Sequence, residues 1–191
     1  MTLPFRHCSD SRLDQIINHG LLCAFDFDGT LAPPGQSERV RVPLGTVLRL
    51  FELSTYAPVA VISGRPAAEI RSGLEFDPDF VLNNRSLDDI PGSAGKKGAA
   101  LAQLMQTSGM RSVIYVGNEV TDEDVFQFRG PHLLSVRIGH ARNSGVEFFL
   151  PHRLDVFQLL DELIARLRQV QARNWVRRAS AHADSRRSGP T

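Results

Sequence analysis

Two aspartates, Asp26 and Asp28, stand one residue apart in the stretch FDFDG and have a spacing that could support chemistry. They follow the apolar run LLCAF, which is typical of a buried parallel strand, although periodicity alone also permits a buried helix. In a strand, residues i and i+2 share a face, so the two carboxylates would converge on one point. Such a pair needs a cation or a proton between its charges. A plain Asp-Gly turn leaving a strand is the simpler alternative.

A possible anion site follows the second apolar run, PVAVIS. Ser63 and Gly64 stand there at the junction between a predicted strand and a predicted helix. A hydroxyl beside the backbone amides of a helix N-terminus can bind an anion. A simple strand-to-helix turn explains the same residues without any function.

Two more polar features come later in the chain. Lys97 opens the predicted helix KGAALAQLMQTSG, where its charge opposes the helix macrodipole. This position hints at a function, although a solvated surface lysine is the simpler interpretation of the residue taken alone. The run NEVTDED then follows the predicted strand SVIYVG. A helix cap at Thr121, with Asp124 as its partner, would account for part of this run.

The elements that must position these residues alternate between strands and helices. This alternation predicts an α/β fold with a doubly wound parallel sheet, whose ligands bind at the carboxyl ends of the strands. The predicted strands are 21–25, 58–63, 80–82, 112–117, 133–138 and 146–150. The predicted helices are 10–20, 44–55, 66–74, 97–109, 122–128 and 154–170.

Composition sets the limits of this interpretation. The 191 residues, 42% hydrophobic and 23% charged, suit one globular domain over residues 1–172. Residues 173–191 hold five arginines and few apolar side chains, which predicts a disordered basic tail that either stays solvated or contacts nucleic acid or acidic lipid. The net charge of +1 does not favour nucleic acid as a partner. Without an apolar stretch long enough to span a membrane, a cytoplasmic location is expected.

Four motifs together resemble those of the haloacid dehalogenase superfamily of phosphotransferases. They are FDFDGTLA, VISGRP, KGAAL and YVGNEVTDEDVF, and they occur in the order of that family. The ending TDEDVF and the later segment GVEFFLPHRLDVFQLLDEL look most like trehalose-6-phosphate phosphatases. The resemblance covers about residues 20–168. It implies a Rossmann-like three-layer core and a phosphatase that forms an aspartyl-phosphate.

The resemblance also implies catalytic roles. Asp26 would be the nucleophile that attacks phosphorus, and Asp28 the general acid for the leaving alcohol and then the base for water. Ser63, Gly64 and Lys97 would bind the phosphoryl oxygens, because phosphoryl transfer relies mainly on positioning and on charge stabilisation.

By the same resemblance, Mg²⁺ is the expected cofactor. Its ligands would be the Asp26 carboxylate, the Asp28 backbone carbonyl and two residues of the last motif, Asn118 and Asp122. The family's last motif begins Gly-Asp, whereas this chain has Gly-Asn, so one negative charge is missing. We expect weaker Mg²⁺ binding in consequence, partly compensated by Asp122 or Glu119.

A second departure concerns the cap domain that covers the site in trehalose-6-phosphate phosphatases. Only about thirty residues separate Ser63 from Lys97, too few for a cap with its own core. An essentially capless enzyme with an open cleft is therefore expected. Either its phosphorylated substrate would be large, such as a macromolecule rather than a small sugar, or a second copy of the chain would cover the site in a homo-oligomer.

Three functional hypotheses follow. The first is a Mg²⁺-dependent phosphomonoester hydrolase. The second is a catalytically weakened or inactive relative that serves as a binding or regulatory module, which Asn118 and the missing cap both favour. The third differs from the first only in its substrate, a phosphoprotein or a nucleic-acid end that the basic tail helps to bind. Phosphatase activity separates the first hypothesis from the second.

Overall fold

One parallel sheet organises the protein. The computed structural model describes residues 3–5, 8, 10–35, 40–83, 97–127, 132–140 and 143–187. Seven strands lie in the order β1-β7-β6-β5-β2-β3-β4, and every neighbouring pair is parallel. They are β1 (Leu3–Pro4), β2 (Leu21–Phe25), β3 (Val59–Ile62), β4 (Phe80–Leu82), β5 (Ser112–Gly117), β6 (Leu133–Ile138) and β7 (Phe148–Leu150). The predicted doubly wound parallel sheet is confirmed.

Helices cover both faces of the sheet. They are α1 (Asp10–Ile17), α2 (Leu44–Ser54), α3 (Ala67–Leu74), α4 (Lys97–Ser108), α5 (Glu123–Phe126) and α6 (Val156–Arg187), with 3₁₀ turns at Val120–Asp122 and Arg153–Asp155. Strand β1 was not predicted, because its two residues are too short for any periodicity and are ordered only by pairing with Phe148 and Phe149 of β7.

The core is divided into two layers by the side-chain alternation of the central strands. In β2, Cys23 and Phe25 pack on the side of α1, α2, α3 and α6, whereas Leu22 and Ala24 pack on the side of α4 and α5. All five residues of β2 are buried, which is why that strand is a continuous apolar run in the sequence. Cys23 is a buried free thiol, as its place in the predicted strand indicated.

The C-terminal helix differs from its prediction. A helix over 154–170 was expected, followed by disorder, but α6 continues to Arg187. The segment from Gln171 to Arg187 contains neither glycine nor proline, and alanine, arginine and glutamine are good helix formers. The side chains of residues 171–177 are exposed, so local propensity rather than packing supports this part of the helix.

We predict that deleting residues 173–191 changes the free energy of unfolding by less than about 1 kcal/mol, because the described side chains there bury no apolar surface. Urea unfolding of the shortened chain measures the change. Leu163→Ala, in the buried part of the same helix, provides the contrast with an expected loss of about 2–5 kcal/mol. A loss above about 2 kcal/mol on deletion would show that the segment belongs to the domain.

The segment between β3 and α4 is described as far as Asn83. It consists of α3 and β4, and both belong to the core. Residues 84–96 lie outside the described part of the chain, so the absence of a cap stays a prediction. Among the described helices, none is both long and apolar enough to cross a membrane.

Candidate active site

The order of the strands brings together the residues that the sequence singled out. Strand β2 lies between β3 and β5, so their carboxyl ends meet at one edge of the sheet. Asp26 follows β2, Ser63 follows β3 and Asn118 follows β5. The backbone N–H of Asp26 donates to the carbonyl of Val116 at 2.8 Å, which ties the first aspartate to the neighbouring strand.

A buried ion cluster lies at the centre of this edge. The Lys97 ammonium donates to Asp26 Oδ1 at 2.6 Å and to Asp122 Oδ1 at 2.8 Å. The side chains of Lys97, Asp26 and Asp122 are 4%, 2% and 0% exposed. The solvated-lysine interpretation is therefore wrong, because the side chain is withdrawn from water and paired with two carboxylates.

Burial and charge shift the pKa values in this cluster. Burial raises the pKa of Asp26 to about 7, and the positive charge of Lys97 offsets part of that rise. Burial alone would lower the pKa of Lys97, but the charges of Asp26 and Asp122 together raise it. Lys97 is thus held as a cation beside the one carboxylate that would have to be ionised to act as a nucleophile.

Three hydrogen bonds hold the backbone and the carboxylate next to this lysine in place. Asp124 Oδ2 accepts from the backbone N–H of Gly98 at 2.8 Å and so anchors the first turn of α4. The Tyr115 hydroxyl donates to Asp122 Oδ1 at 2.7 Å, and the Glu119 N–H donates to Asp122 Oδ2 at 2.8 Å. Burial and the nearby charge of Asp122 raise the pKa of Tyr115, so its hydroxyl stays a donor. Asp122 thereby positions Lys97, and its role as a metal ligand stays a prediction.

The second aspartate is held by an arginine that the sequence analysis left without a role. Arg65 binds Asp28 in a bidentate pair, with Nε at 2.6 Å from Oδ2 and Nη2 at 2.9 Å from Oδ1. Its Nη2 also donates to the Gly35 carbonyl at 2.7 Å, and its Nη1 pairs with Glu69. The available signal was the arginine in VISGRP, because a planar guanidinium suits a carboxylate or a phosphate.

The predicted phosphate-binding pair lies beside this arginine. Ser63 is buried, and its Oγ accepts from the backbone N–H of Arg65 at 3.2 Å, where the chain turns toward α3. Gly64 is exposed and lines the cleft described below. The structure places both residues at the predicted edge, and their contact with phosphate stays a prediction.

Asn118 faces both aspartates. One atom of its side-chain amide lies 2.7 Å from the Asp28 backbone oxygen, 3.0 Å from Asp26 Oδ2 and 3.0 Å from Thr30 Oγ1. Gly29 makes this approach possible, since its φ is 72° and a Cβ at that position would collide with the Asn118 amide.

These groups fit a small divalent cation. With the amide oxygen turned inward, it lies 2.7 Å from the Asp28 backbone oxygen and 3.0 Å from Asp26 Oδ2, close to the edge of about 3 Å in a Mg²⁺ octahedron. Only Asp26 contributes a formal charge to this set. Within the described part of the chain, no three His, Cys, Asp or Glu side chains cluster as metal ligands, so such a site depends on carbonyl and amide oxygens.

A cleft gives access to these groups from solvent. It has a volume of about 560 Å³ and lies directly over the second aspartate, while Asp26 and Lys97 are buried beneath this edge. The cleft is lined by Asp28, Pro34, Gly35, Gly64, Arg65, Pro66, Asn118 and Glu119.

The comparisons with known proteins match the fold rather than the sequence. No family model matches the chain, and no curated protein is similar to it in sequence. Trehalose-6-phosphate phosphatase from Aspergillus fumigatus superposes with a TM-score of 0.69 at 16% identity, over 86% of this chain and 100% of the other. A 3-deoxy-D-manno-octulosonate 8-phosphate phosphatase from Moraxella catarrhalis, solved with magnesium and phosphate, gives 0.62 at 17% identity, over 86% and 98%.

A third structure, a haloacid dehalogenase-like hydrolase from Streptococcus pneumoniae, has a TM-score of 0.52 at 12% identity, over 74% of this chain and 99% of the other. The protein is thus an α/β protein whose polar residues meet at the carboxyl edge of a parallel sheet. Its fold is that of the haloacid dehalogenase phosphatases, as the four sequence motifs implied.

Proposed function

We propose that this protein is a phosphomonoester hydrolase that works through an aspartyl-phosphate on Asp26. One observation carries the proposal. A buried aspartate at the end of the central strand is paired with a buried lysine, and a second aspartate stands two residues away at the cleft. The haloacid dehalogenase fold supports phosphoester hydrolysis in general.

The reaction follows from the roles of the two aspartates. A carboxylate oxygen of Asp26 attacks phosphorus, and the bond from phosphorus to the ester oxygen breaks. Asp28, protonated on one of the two oxygens that Arg65 otherwise binds, gives that proton to the leaving alkoxide. Water then attacks the phosphorus, Asp28 takes its proton, and the bond to Asp26 breaks to release inorganic phosphate. Lys97 balances negative charge beside Asp26, and Ser63 and Gly64 bind the phosphoryl oxygens.

Magnesium completes the proposed site. Asp26, the Asp28 carbonyl and Asn118 would hold it, and when bound it would neutralise charge on the phosphoryl group. The site would therefore bind a phosphorylated substrate with few charged protein groups around the metal. Because Asp26 carries the only formal charge among these three ligands, we expect the affinity of the site for Mg²⁺ to be low.

We predict that Arg65→Lys lowers kcat by about tenfold to a hundredfold with a smaller effect on KM, because lysine cannot reproduce the bidentate grip on Asp28. Steady-state kinetics with p-nitrophenyl phosphate measures both constants. Arg71→Lys, at an exposed ion pair with Asp77, is the matched control and should leave both unchanged. An unchanged kcat in Arg65→Lys would show that the pair does not position Asp28.

The open cleft bears on the substrate. We propose that the substrate is large or that a second copy of the chain covers the cleft, because only about thirty residues separate Ser63 from Lys97 and leave too little chain for a cap with its own core. The test is phosphate release from p-nitrophenyl phosphate with MgCl₂, followed by a panel of phosphorylated sugars, phosphopeptides and nucleotide ends. Release from none of them would overturn the proposal.

A binding or regulatory module is the second candidate, and Asn118 is the observation in its favour, because it removes one negative charge from the proposed metal site. A protein of this kind would bind phosphorylated compounds without releasing phosphate. The same panel, read by binding as well as by turnover, separates the two functions.

A further inference from the structure

We infer that the Asn118 side chain takes the place of the divalent cation in the metal-free protein and must turn over to admit one. This inference rests on the magnesium requirement of the proposed function. It concerns one amide that can present either its nitrogen or its oxygen to the same two aspartates.

With the nitrogen inward, the two N–H groups of the amide have three acceptors within hydrogen-bond distance and can donate to two of them at a time. In order, these acceptors are the Asp28 backbone oxygen at 2.7 Å, Asp26 Oδ2 at 3.0 Å and Thr30 Oγ1 at 3.0 Å. The first two acceptors are the atoms that would bind the cation. The uncharged N–H donors therefore reduce the electrostatic repulsion between these oxygens, as a bound cation would.

With the oxygen inward, the same position becomes a metal ligand. The amide oxygen then lies 2.7 Å from the Asp28 backbone oxygen and 3.0 Å from Asp26 Oδ2, an arrangement that is repulsive without a cation and suitable with one. Thr30 suits both orientations, since its hydroxyl can accept from the amide nitrogen in one and donates to the amide oxygen at 3.0 Å in the other. The threonine can thus hold the amide before and after it turns.

An aspartate at this position could not play both parts. It has no donor for Asp26 and Asp28, so its carboxylate adds repulsion in the metal-free state and charge in the metal-bound state. The amide consequently stabilises the protein without metal and lowers the affinity of the site for the metal. Half of the sites would then be occupied only at a higher concentration of free divalent cation.

The experiment compares wild type with Asn118→Asp by MgCl₂ titration and thermal unfolding. We expect Asn118→Asp to bind Mg²⁺ at least about tenfold more tightly. Its Tm should lie below that of wild type without metal and reach or exceed it with MgCl₂. Asn18→Asp, which places the same charge at an exposed turn after α1, should show no such crossing.

A second measurement uses the wild-type protein alone. The side-chain NH₂ pair of Asn118, identified by its absence from the ¹H–¹⁵N spectrum of Asn118→Asp, should shift on addition of MgCl₂ and exchange faster with solvent. An unmoved pair, equal affinities in the two proteins or no MgCl₂ binding by either would overturn the inference. Neither readout uses turnover, so a protein that behaves this way but releases no phosphate would contradict the proposed function alone.

Discussion

Asp26→Asn is expected to reduce phosphate release from p-nitrophenyl phosphate by at least about 10⁴-fold, because an amide cannot form the aspartyl-phosphate. The fold should survive the change. The buried cluster holds two carboxylates and one lysine, so the substitution removes its unbalanced negative charge while keeping the shape of the side chain. Urea unfolding of the variant checks that the loss of activity is not a loss of structure.

Two further measurements sharpen this prediction. Asp77→Asn removes a carboxylate from an exposed ion pair with Arg71 and should retain full activity. Acid-quenched wild-type protein should carry phosphate that hydroxylamine releases, as an acyl phosphate does, and Asp26→Asn should carry none. Turnover of the variant at the wild-type rate would contradict the assignment of Asp26 as nucleophile.

Lys97→Met is expected to lower the free energy of unfolding by about 3–5 kcal/mol and to abolish activity. Methionine fills a similar volume but leaves Asp26 and Asp122, both almost fully buried, without their counter-ion. Urea unfolding at neutral pH measures the stability, and p-nitrophenyl phosphate measures the activity.

Two further variants distinguish the change in stability caused by losing a buried charge from the change caused by losing an exposed one. Arg71→Met removes a positive charge from a half-exposed ion pair and should change stability by less than about 1 kcal/mol. Adding Asp122→Asn to Lys97→Met should recover part of the lost stability, because one uncompensated carboxylate is removed. Equal stability of Lys97→Met and Arg71→Met would show that the lysine does not balance the buried carboxylates.

The helix boundaries show where sequence patterns stop being informative. Lys97 lies in α4, as predicted, but its local pattern alone indicated a surface lysine, and only the resemblance of the four motifs put it at the site. Its burial depends on Asp26 and Asp122, which come from two other segments of the chain. The expected cap at Thr121 is replaced by one at Glu119 paired with Asp122, and Asp124 instead anchors α4.

Sequence patterns by themselves determined the alternation of strands and helices and the position of Asp26, Asp28, Ser63, Lys97 and Asn118 at element ends, because periodicity and glycine turns are local properties. Only the tertiary structure showed which partners these residues have. The pair of Arg65 with Asp28 and the approach of Asn118 to both aspartates join groups from different strand ends. Those contacts arise from the order β3-β2-β5, which no local pattern contains.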